Sequence, residues 1–310
     1  MKRRTFLQTT IGAGFVGSVA PNLLLGAAKD KPNEKLNIGI IGSGGRGSAN
    51  MRGVASENIV ALCDVNGQTL AASQKKYPKA KAYFDWRKLL EDKSIDAVTV
   101  STADHCHALA AVAAMRAGKH VYCEKPLAHS VHEARVMRET FAKSKVATQM
   151  GTQIHATDNY RRVVELVQSG AIGPVREAHV WCSRTINPIG APVLERQSPP
   201  DWFHWDEWQG PAPDRYHNQG YWKGGNLNWN RRWDYGNGVL GDMGSHLIDL
   251  PWWALELTTP LTCEAHGPKA DAVACPPWMR VTWEHAARKG RAAFEVPVKV
   301  VWYHGGRSKR

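Results

Sequence analysis

Short apolar runs alternate with helix-like stretches through the first half of the chain. Residues 36–41 (LNIGII) form a short, largely apolar run, which predicts a buried parallel strand. Runs of the same kind follow at 58–63, 80–84, 96–101, 120–123 and 146–150. Helical patterns lie between them, at 67–76, 86–92, 108–117 and 131–143. Strands that alternate with helices of this length predict an α/β domain with a doubly wound parallel sheet, here residues 33–151.

The pattern changes after Gly151. A helix is predicted at 160–168 and a strand at 174–182, followed by a loop-rich region at 187–237. Strand-like runs then follow one another without helices between them, at 261–266, 279–285 and 292–302. This order predicts a second, α+β domain with a mostly antiparallel sheet, residues 152–310.

The loop-rich region is dense in tryptophan. Aromatic faces stack well on sugars, but tryptophans three residues apart equally suit one face packed against a sheet. That spacing favours packing for the first three of the group, which comprises Trp202, Trp205, Trp208, Trp222, Trp229 and Trp233.

A glycine-rich turn directly follows the first strand and fits the pattern G-x-G-x-x-G. Gly42 permits a tight turn, Gly44 lets the backbone approach a pyrophosphate, and Gly47 lets the helix pack closely on the strand. The helix N-terminus offers free N–H groups to phosphates. Asp64 closes the next strand and is placed to accept hydrogen bonds from ribose hydroxyls. These features predict a Rossmann dinucleotide site made of Gly42, Ser43, Gly44, Gly45, Arg46, Gly47 and Asp64, the alternative being a structural glycine turn.

The acid also bears on which dinucleotide is bound. A carboxylate at Asp64 repels the 2′-phosphate of NADP, so NAD is favoured over NADP. Arg46 offsets this repulsion in part, because a nearby cation attracts the same phosphate.

Two further segments carry candidate chemistry. Lys125 follows a predicted strand directly, so it points into the crevice at the carboxyl ends of the strands, unless it is a solvated loop lysine. There a lysine stabilises alkoxide character during hydride transfer. Asp242 and His246 stand four residues apart on one predicted helix face, where a carboxylate orients a histidine base. Polar packing and, less favoured, metal ligation by His246 and Asp249 are the alternatives.

A polar cluster, Asp104-His105-Cys106-His107, lies at the carboxyl end of the strand at 96–101. Its position favours contact with cofactor or substrate over metal binding, and no metal site is predicted. Thr102, Asp104, His107, Glu124 and Lys125 complete the predicted cofactor contacts.

Composition and the N-terminal sequence limit the kinds of protein and the cell compartment that remain possible. The formal charge is +12, but the basic residues are scattered rather than interleaved with aromatics, which argues against nucleic-acid binding. Residues 1–28 combine a twin arginine with a mildly apolar, glycine-containing stretch, which predicts a twin-arginine export signal and a periplasmic protein. No later stretch is apolar for long enough to span a membrane. Export in the folded state predicts a tightly held cofactor that is recycled in place.

Together these segments resemble the Gfo/Idh/MocA family, which is named for glucose–fructose oxidoreductase and inositol dehydrogenase. The resemblance spans about residues 36–303 and rests on the glycine loop, Ser101-Thr102-Ala103-Asp104-His105 with His107, Ala117-Gly118-Lys119-His120, Glu124-Lys125-Pro126, and Gly241-Asp242 with His246. It implies that Lys125 contacts substrate and cofactor. It also implies that Asp242 and His246 bind sugar hydroxyls, with the histidine as acid and base.

Three functional hypotheses follow. The first is an NAD(P)-dependent oxidoreductase that acts on a sugar or polyol hydroxyl. The second is a glycosidase that uses bound NAD transiently, which the resemblance allows. The third is a non-catalytic, truncated remnant, since family members with this tryptophan-rich middle usually run on beyond the position of Gly305. By the same resemblance the second sheet would lack a strand and a covering helix, which leads us to expect a homo-oligomer through that sheet.

Overall fold

The computed structural model describes residues 35–184, 194–269, 271–288 and 294–305, so the predicted export signal and residues 306–310 lie outside the described residues. Six strands form the first sheet, all paired in parallel in the order β3-β2-β1-β4-β5-β6. Their bounds are β1 (Asn37–Ile41), β2 (Asn58–Cys63), β3 (Lys81–Tyr83), β4 (Ala97–Val100), β5 (His120–Glu124) and β6 (Thr148–Gly151). The order reverses between β1 and β4, which is where a doubly wound sheet opens a crevice for ligands.

Helices connect these strands at the predicted places. Side chains cap the starts of two of them: the Asn66 side chain accepts from the backbone of the second helix, and Ser130 forms a capping box with Glu133. The helices are α1 (Gly45–Gly53), α2 (Gly67–Lys76), α3 (Trp86–Leu90), α4 (Asp104–Arg116) and α5 (Val131–Lys143). The parallel sheet predicted from the alternating pattern is thus confirmed.

Both faces of the first sheet are buried. Ile38 and Ile40 of β1 pack with Leu62 on one face, while Ile41 and Val100 pack on the other against the alanine-rich α4. Burial on both faces explains why the strands read as continuous apolar runs rather than as alternating ones.

The second sheet has the order β7-β10-β9-β8. The pairings β10–β9 and β9–β8 are antiparallel, but β10 pairs with β7 in parallel. The sheet is therefore mixed, and the predicted antiparallel character holds for two of its three pairings. The elements of this region are α6 (Asp158–Gln168), β7 (Glu177–Cys182), α7 (Trp205–Gln209), α8 (Asn226–Trp229), α9 (Gly238–Leu247), α10 (Asp249–Ala254), β8 (Thr262–His266), β9 (Met279–His285) and β10 (Val298–His304).

The parallel pair has a simple physical reason. A parallel neighbour needs a long crossover connection, and the chain between β7 and β10 contains two helices that lie on the sheet. Val239 of α9 packs with Val281 and Trp302 of the sheet, and Leu255, which directly follows α10, packs with Val300. This packing carries α9 toward the first sheet. No helix among the described residues is long and apolar enough to cross a membrane.

Candidate active site

The glycine loop between β1 and α1 has the geometry that its sequence predicts. Gly42 has φ +82°, and a Cβ there would lie 2.5 Å from the carbonyl oxygen of Ser101. A Cβ on Gly47 would lie 1.8 Å from the carbonyl oxygen of Gly42. Both positions therefore exclude any side chain. The first turn of α1 has N–H groups without partners within the helix, and such groups bind anions.

Asp64, at the end of β2, holds this loop in place by hydrogen bonds. Its Oδ2 accepts hydrogen bonds from the backbone N–H groups of Ser43 (2.9 Å) and Gly44 (3.1 Å), and its Oδ1 accepts from the Asn66 N–H (2.9 Å). Burial raises the pKa of Asp64, although these hydrogen bonds oppose the shift. The acid is thus a structural anchor of the loop, and its predicted contact with a ribose stays a prediction.

Glu124, at the end of β5, joins the loop helix to the sheet. Its Oε1 accepts from Arg46 Nε (2.9 Å) and from Asn50 Nδ2 (2.9 Å). A Cβ on Gly151 would lie 2.8 Å from the Glu124 carboxylate, so the neighbouring strand also makes room for it. Glu124 therefore holds α1, β5 and β6 together at the carboxyl edge of the sheet.

Lys125 links the two parts of the chain. Its Nζ donates to Asp242 Oδ1 (2.6 Å) and to the Asp242 backbone carbonyl (2.9 Å), and the two side chains are 13% and 6% exposed. Arg184, just after β7, donates to the other carboxylate oxygen, Oδ2. The Lys125–Pro126 peptide bond is cis, one of the two conformations considered from the sequence. One buried carboxylate thus binds two cations.

His246 lies one turn after Asp242 on α9 and is buried. Its Nδ1 has no hydrogen-bond partner among the described residues. Burial lowers the pKa of His246, and the positive charge of Lys125 lowers it further. The hydrogen bonds seen at the Asp242 carboxylate run to Lys125 and Arg184, so Asp242 orients the lysine. The sequence also predicts that Asp242 orients His246, and this stays a prediction.

The histidines at the start of α4 are also buried, but they bind the backbone. His105 faces the carbonyl oxygens of Tyr235 (Nδ1, 3.2 Å) and Trp208 (Nε2, 2.9 Å), and burial lowers its pKa to about 4. His107 faces those of Pro126 (2.7 Å) and Thr102 (3.0 Å), and burial lowers its pKa as well. Both residues therefore join loops around the site.

Asp104, which precedes them, is different. It is 2% exposed, and its Oδ2 has no hydrogen-bond partner among the described residues. Burial raises the pKa of Asp104 well above its usual range, against the opposing charge of Lys125.

These residues line one cleft of about 570 Å³ between the two sheets. Of the predicted site residues, the cleft surface includes Gly42, Gly44, Gly45, Arg46, Asp64, Thr102, Asp104, His107, Glu124, Lys125, Asp242 and His246. Ser43 and Gly47 lie in the loop beneath that surface, where Ser43 is 1% exposed.

Sequence reasoning missed two features of the cleft. Arg184 follows an ordinary strand, and no local motif marks it. The cleft also has an aromatic wall of Phe84, Phe203, Trp208 and Trp222; the sequence analysis did not consider the two phenylalanines, and it favoured packing for Trp208. In the structure the tryptophans do both: Trp205 is buried against Trp208 (ring centroids 5.2 Å apart), and Trp208 also lines the cleft.

The cleft fits a dinucleotide. Its volume lies within the range of small-molecule sites, and a Cβ on Gly45 would meet no atom within 4 Å, so the loop backbone is open to a ligand. Asp104 Oδ2 and His246 Nδ1 are buried polar atoms that lack partners among the described residues, and a bound ligand would satisfy them. The described residues include no group of three or more His, Cys, Asp or Glu side chains that would hold a metal ion.

Comparison with known proteins agrees with this geometry. Residues 36–152 match the NAD-binding Rossmann fold of the Gfo/Idh/MocA oxidoreductase family, and residues 159–290 match its C-terminal α/β domain. The inositol 2-dehydrogenase of Salmonella typhimurium is 35% identical over 150 residues, which is 46% of this chain and 45% of that protein. A glycosyl hydrolase family 109 protein of Solibacter usitatus is 32% identical over 185 residues, which is 53% of this chain and 40% of that protein.

A solved structure supports the fold. The WlbA dehydrogenase from Bordetella pertussis, in complex with NADH and UDP-GlcNAcA, superposes with a TM-score of 0.63 at 17% identity, covering 86% of this chain and 72% of that chain. The chain spans about half the length of the curated relatives it matches. With both regions matched in order, the chain belongs to the Gfo/Idh/MocA oxidoreductase family and consists of an NAD-binding Rossmann domain followed by the C-terminal α/β domain of that family.

Proposed function

We propose that this protein is an NAD-dependent oxidoreductase that oxidises a CH–OH group of a sugar or polyol. The observation that carries the proposal is the Lys125–Asp242 pair, which lies in one cleft with the glycine loop and with His246, whose Nδ1 has no hydrogen-bond partner among the described residues. Bound NAD would accept the hydride from the substrate carbon. The similarity to an inositol 2-dehydrogenase supports a polyhydroxylated substrate.

His246 is the proposed base. A histidine accepts a proton only when it is neutral, and the lowered pKa of His246 keeps the ring neutral at pH 7. Its Nδ1 is buried beside the cleft and has no partner in the described part of the chain, so a substrate hydroxyl would supply a hydrogen bond there.

Lys125 is the proposed electrostatic partner of the reacting oxygen. Its ammonium group carries three donors; two bind Asp242, and the third has no partner among the described residues, so a substrate oxygen would accept from it. A preorganised cation at this point stabilises the negative charge that develops on the oxygen as its proton leaves. Asp242 holds the ammonium group in place and balances its charge.

The preference for NAD over NADP rests on Asp64. Its carboxylate binds the glycine loop at the end of β2, and a second anion at this point would be repelled. Arg46 is paired with Glu124, which reduces the attraction that it would otherwise exert on a 2′-phosphate. Titration with both nucleotides tests the preference, and tighter binding of NADP would contradict it.

The protein is further proposed to be exported by the twin-arginine route and to act in the periplasm with a retained cofactor. The sequence of residues 1–28 supports this. Denaturing the purified mature protein and identifying the released nucleotide by mass spectrometry tests retention. NAD(H) near one per chain is expected, and an empty protein would contradict it.

Lys125→Ala tests the catalytic proposal. Turnover of a sugar or polyol should fall about a hundredfold to a thousandfold or more, as expected when one electrostatic donor is removed from a reacting oxygen. Nucleotide affinity should be retained, because the glycine loop is unchanged. Lys143→Ala, on the exposed surface of α5, is the matched control. Unchanged turnover in Lys125→Ala would contradict the role, and any turnover in the parent protein would contradict the non-catalytic hypothesis.

A second candidate is an NAD-dependent glycosidase, in which transient oxidation of a ring carbon promotes elimination of the glycosidic bond. The similarity to a glycosyl hydrolase family 109 protein favours it. The same Lys125 and His246 would serve both reactions. Release of a free sugar without net formation of NADH identifies the glycosidase, whereas accumulation of NADH identifies the dehydrogenase.

We also propose that the protein associates with itself through the second sheet. The edge strand β7 exposes Trp181 (69%), and Ile172 nearby is 65% exposed, so an apolar surface lies beside a strand edge that no other described strand pairs with. Sedimentation of the protein with and without Trp181→Glu tests this. A monomeric parent protein would contradict it.

A further inference from the structure

One segment of the C-terminal part, residues 202–209, which we call the strap, lies against the Rossmann domain at the end of β2. Phe203 forms an antiparallel bridge with Asn66. The Gly67 N–H donates to the Trp202 carbonyl oxygen (2.7 Å), and the His204 N–H donates to that of Val65 (2.9 Å). The strap is thus bound, by its backbone, to the residues that directly follow Asp64.

Side chains fasten the strap at two more places. The His204 ring stacks on Phe84, just after β3, with ring centroids 3.8 Å apart. Glu207 pairs with Arg87 of α3. At the far end of the strap, the carbonyl oxygen of Trp208 lies 2.9 Å from His105 Nε2. The strap therefore crosses from the end of β2 to the start of α4, over the same edge of the sheet that holds the glycine loop.

An aromatic cluster supports the strap from behind. Phe203 stacks on Trp222 with centroids 4.0 Å apart, and Trp205 stacks on Tyr221 at 5.9 Å. Phe203 and Trp205 are 5% and 8% exposed, although they belong to a segment without long secondary structure. A segment packed this way has little freedom to move unless its backbone bonds to β2 break.

The inner surface of the strap faces the cleft. Phe203, Glu207 and Trp208 line it together with Phe84 and Asp64. In a Rossmann site, the acid after the second strand marks the end that holds the adenosine ribose. The strap therefore closes that end with aromatic faces, on which a purine ring stacks well.

We infer that the strap retains the nucleotide: it forms the outer wall of the adenosine end of the cleft and thereby sets how fast the nucleotide leaves. This rests on the proposed binding of NAD in the cleft. Release requires the strap to separate from Val65 and Gly67, because Phe203 and Trp208 otherwise cover the exit beside Asp64. In related complexes, most differences in affinity appear in the dissociation rate, so that rate is the quantity to measure.

Gly67→Val tests the strap without touching the cleft surface. Gly67 does not line the cleft, it begins α2 at an ordinary φ, and a Cβ there would lie 3.0 Å from the Trp202 carbonyl oxygen. The substitution thus pushes the strap away from β2. Gly53→Val, at the end of α1, is the matched control, since a Cβ there would meet no atom within 4 Å. Circular dichroism checks that each variant is folded.

Dissociation is followed by stopped flow. Protein loaded with NADH is mixed with excess ADP-ribose, and the loss of energy transfer from tryptophan to NADH reports release. Gly67→Val should release NADH about tenfold faster than the parent protein, and Gly53→Val at the parent rate. ADP-ribose, which lacks nicotinamide, should also bind Gly67→Val more weakly, because the strap acts at the adenosine end.

His204→Ala is a milder second variant, in case Gly67→Val does not fold. It removes the stacking on Phe84 while the backbone bond to Val65 remains, so a smaller acceleration of about threefold is expected. If folded Gly67→Val, or His204→Ala in its absence, releases NADH at the rate of the Gly53→Val control, the strap inference is overturned and the proposed function stands. If the parent protein binds no NADH, both are overturned.

Discussion

Two helices bring buried histidines to the same cleft, and the histidines differ in their partners. At the start of α4, each ring of His105 and His107 faces two backbone carbonyl oxygens. On α9, His246 is buried to a similar degree, but its Nδ1 lacks a partner among the described residues. The difference is in what surrounds the rings, since burial lowers the pKa of all three.

The comparison teaches how to separate a structural histidine from a reactive one. A neutral imidazole has one N–H and one acceptor nitrogen, so a ring between two carbonyls uses its N–H on the backbone and offers no base to a substrate. A ring with a buried nitrogen that binds no other group can still act as a base toward a substrate. Within the described residues, burial alone does not identify the base, whereas the hydrogen-bond partners do.

The largest expected effect comes from His246→Asn. Loss of the base should lower kcat/KM about a hundredfold to ten-thousandfold, the usual contribution of general acid–base catalysis. NADH binding should be unchanged, because the glycine loop is untouched. His132→Asn, on the exposed surface of α5, is the control. If His107→Asn lost as much activity as His246→Asn while keeping its stability, the distinction between structural and reactive histidines would be wrong.

The pH dependence of stability tests the other member of the comparison, the structural histidine His105. His105 has a pKa of about 4 in the folded protein, against about 6.5 in an unfolded chain. The unfolded state therefore binds an extra proton below pH 6.5, and this contribution to stability is lost as the pH falls from 6.5 toward 4. Between these values each proton of difference changes the free energy of unfolding by about 1.4 kcal/mol per pH unit.

Urea unfolding of the parent protein and of His105→Gln, at pH values from 7 to 4.5, measures this. The variant should be less stable at pH 7, and its free energy of unfolding should fall less steeply with decreasing pH. Equal slopes would show that His105 does not titrate as its burial requires, and would remove the physical ground for separating it from His246.

Much of the first domain could be predicted from the sequence, because its local sequence patterns agree with its overall arrangement. The alternating apolar runs, Gly42 and Gly47 each have a local cause, and each is found where it was expected. The mixed second sheet was harder to predict from the sequence. The parallel β7–β10 pairing depends on a crossover of more than a hundred residues, which no local pattern encodes.

The site was predictable as a set of residues, but less so as a set of pairs. The spacing of Asp242 and His246 places both on one helix face, which is correct, yet it does not reveal which partner the carboxylate chooses. Lys125 and Arg184 come from distant parts of the chain, and both donate to that carboxylate. Pairings of this kind are set by tertiary packing, so spacing alone could not predict them.

A smaller effect is expected from His107→Ala, which removes the ring N–H from whichever of the Thr102 and Pro126 carbonyls accepts it. An unsatisfied buried polar group costs about 1–3 kcal/mol, so the free energy of unfolding should fall by that amount. The pH at which activity falls on the acidic side should stay unchanged, because the base is elsewhere. Thermal unfolding and a pH–rate profile measure the two quantities. A shifted profile with unchanged stability would reverse the assignment.

The smallest effect is expected from Arg184→Gln, which changes the field at His246 without touching its ring. The charge of Arg184 is one of the causes that lower the pKa of His246, after burial and Lys125. Its removal should raise that pKa, so the acidic limb of kcat/KM should move to higher pH by a fraction of a unit. Because the Arg184 side chain is 39% exposed, salt should shrink the difference between variant and parent. Arg138→Gln on the exposed face of α5 is the control, and a limb that does not move at low salt would mean that His246 is not the group whose ionisation limits the rate.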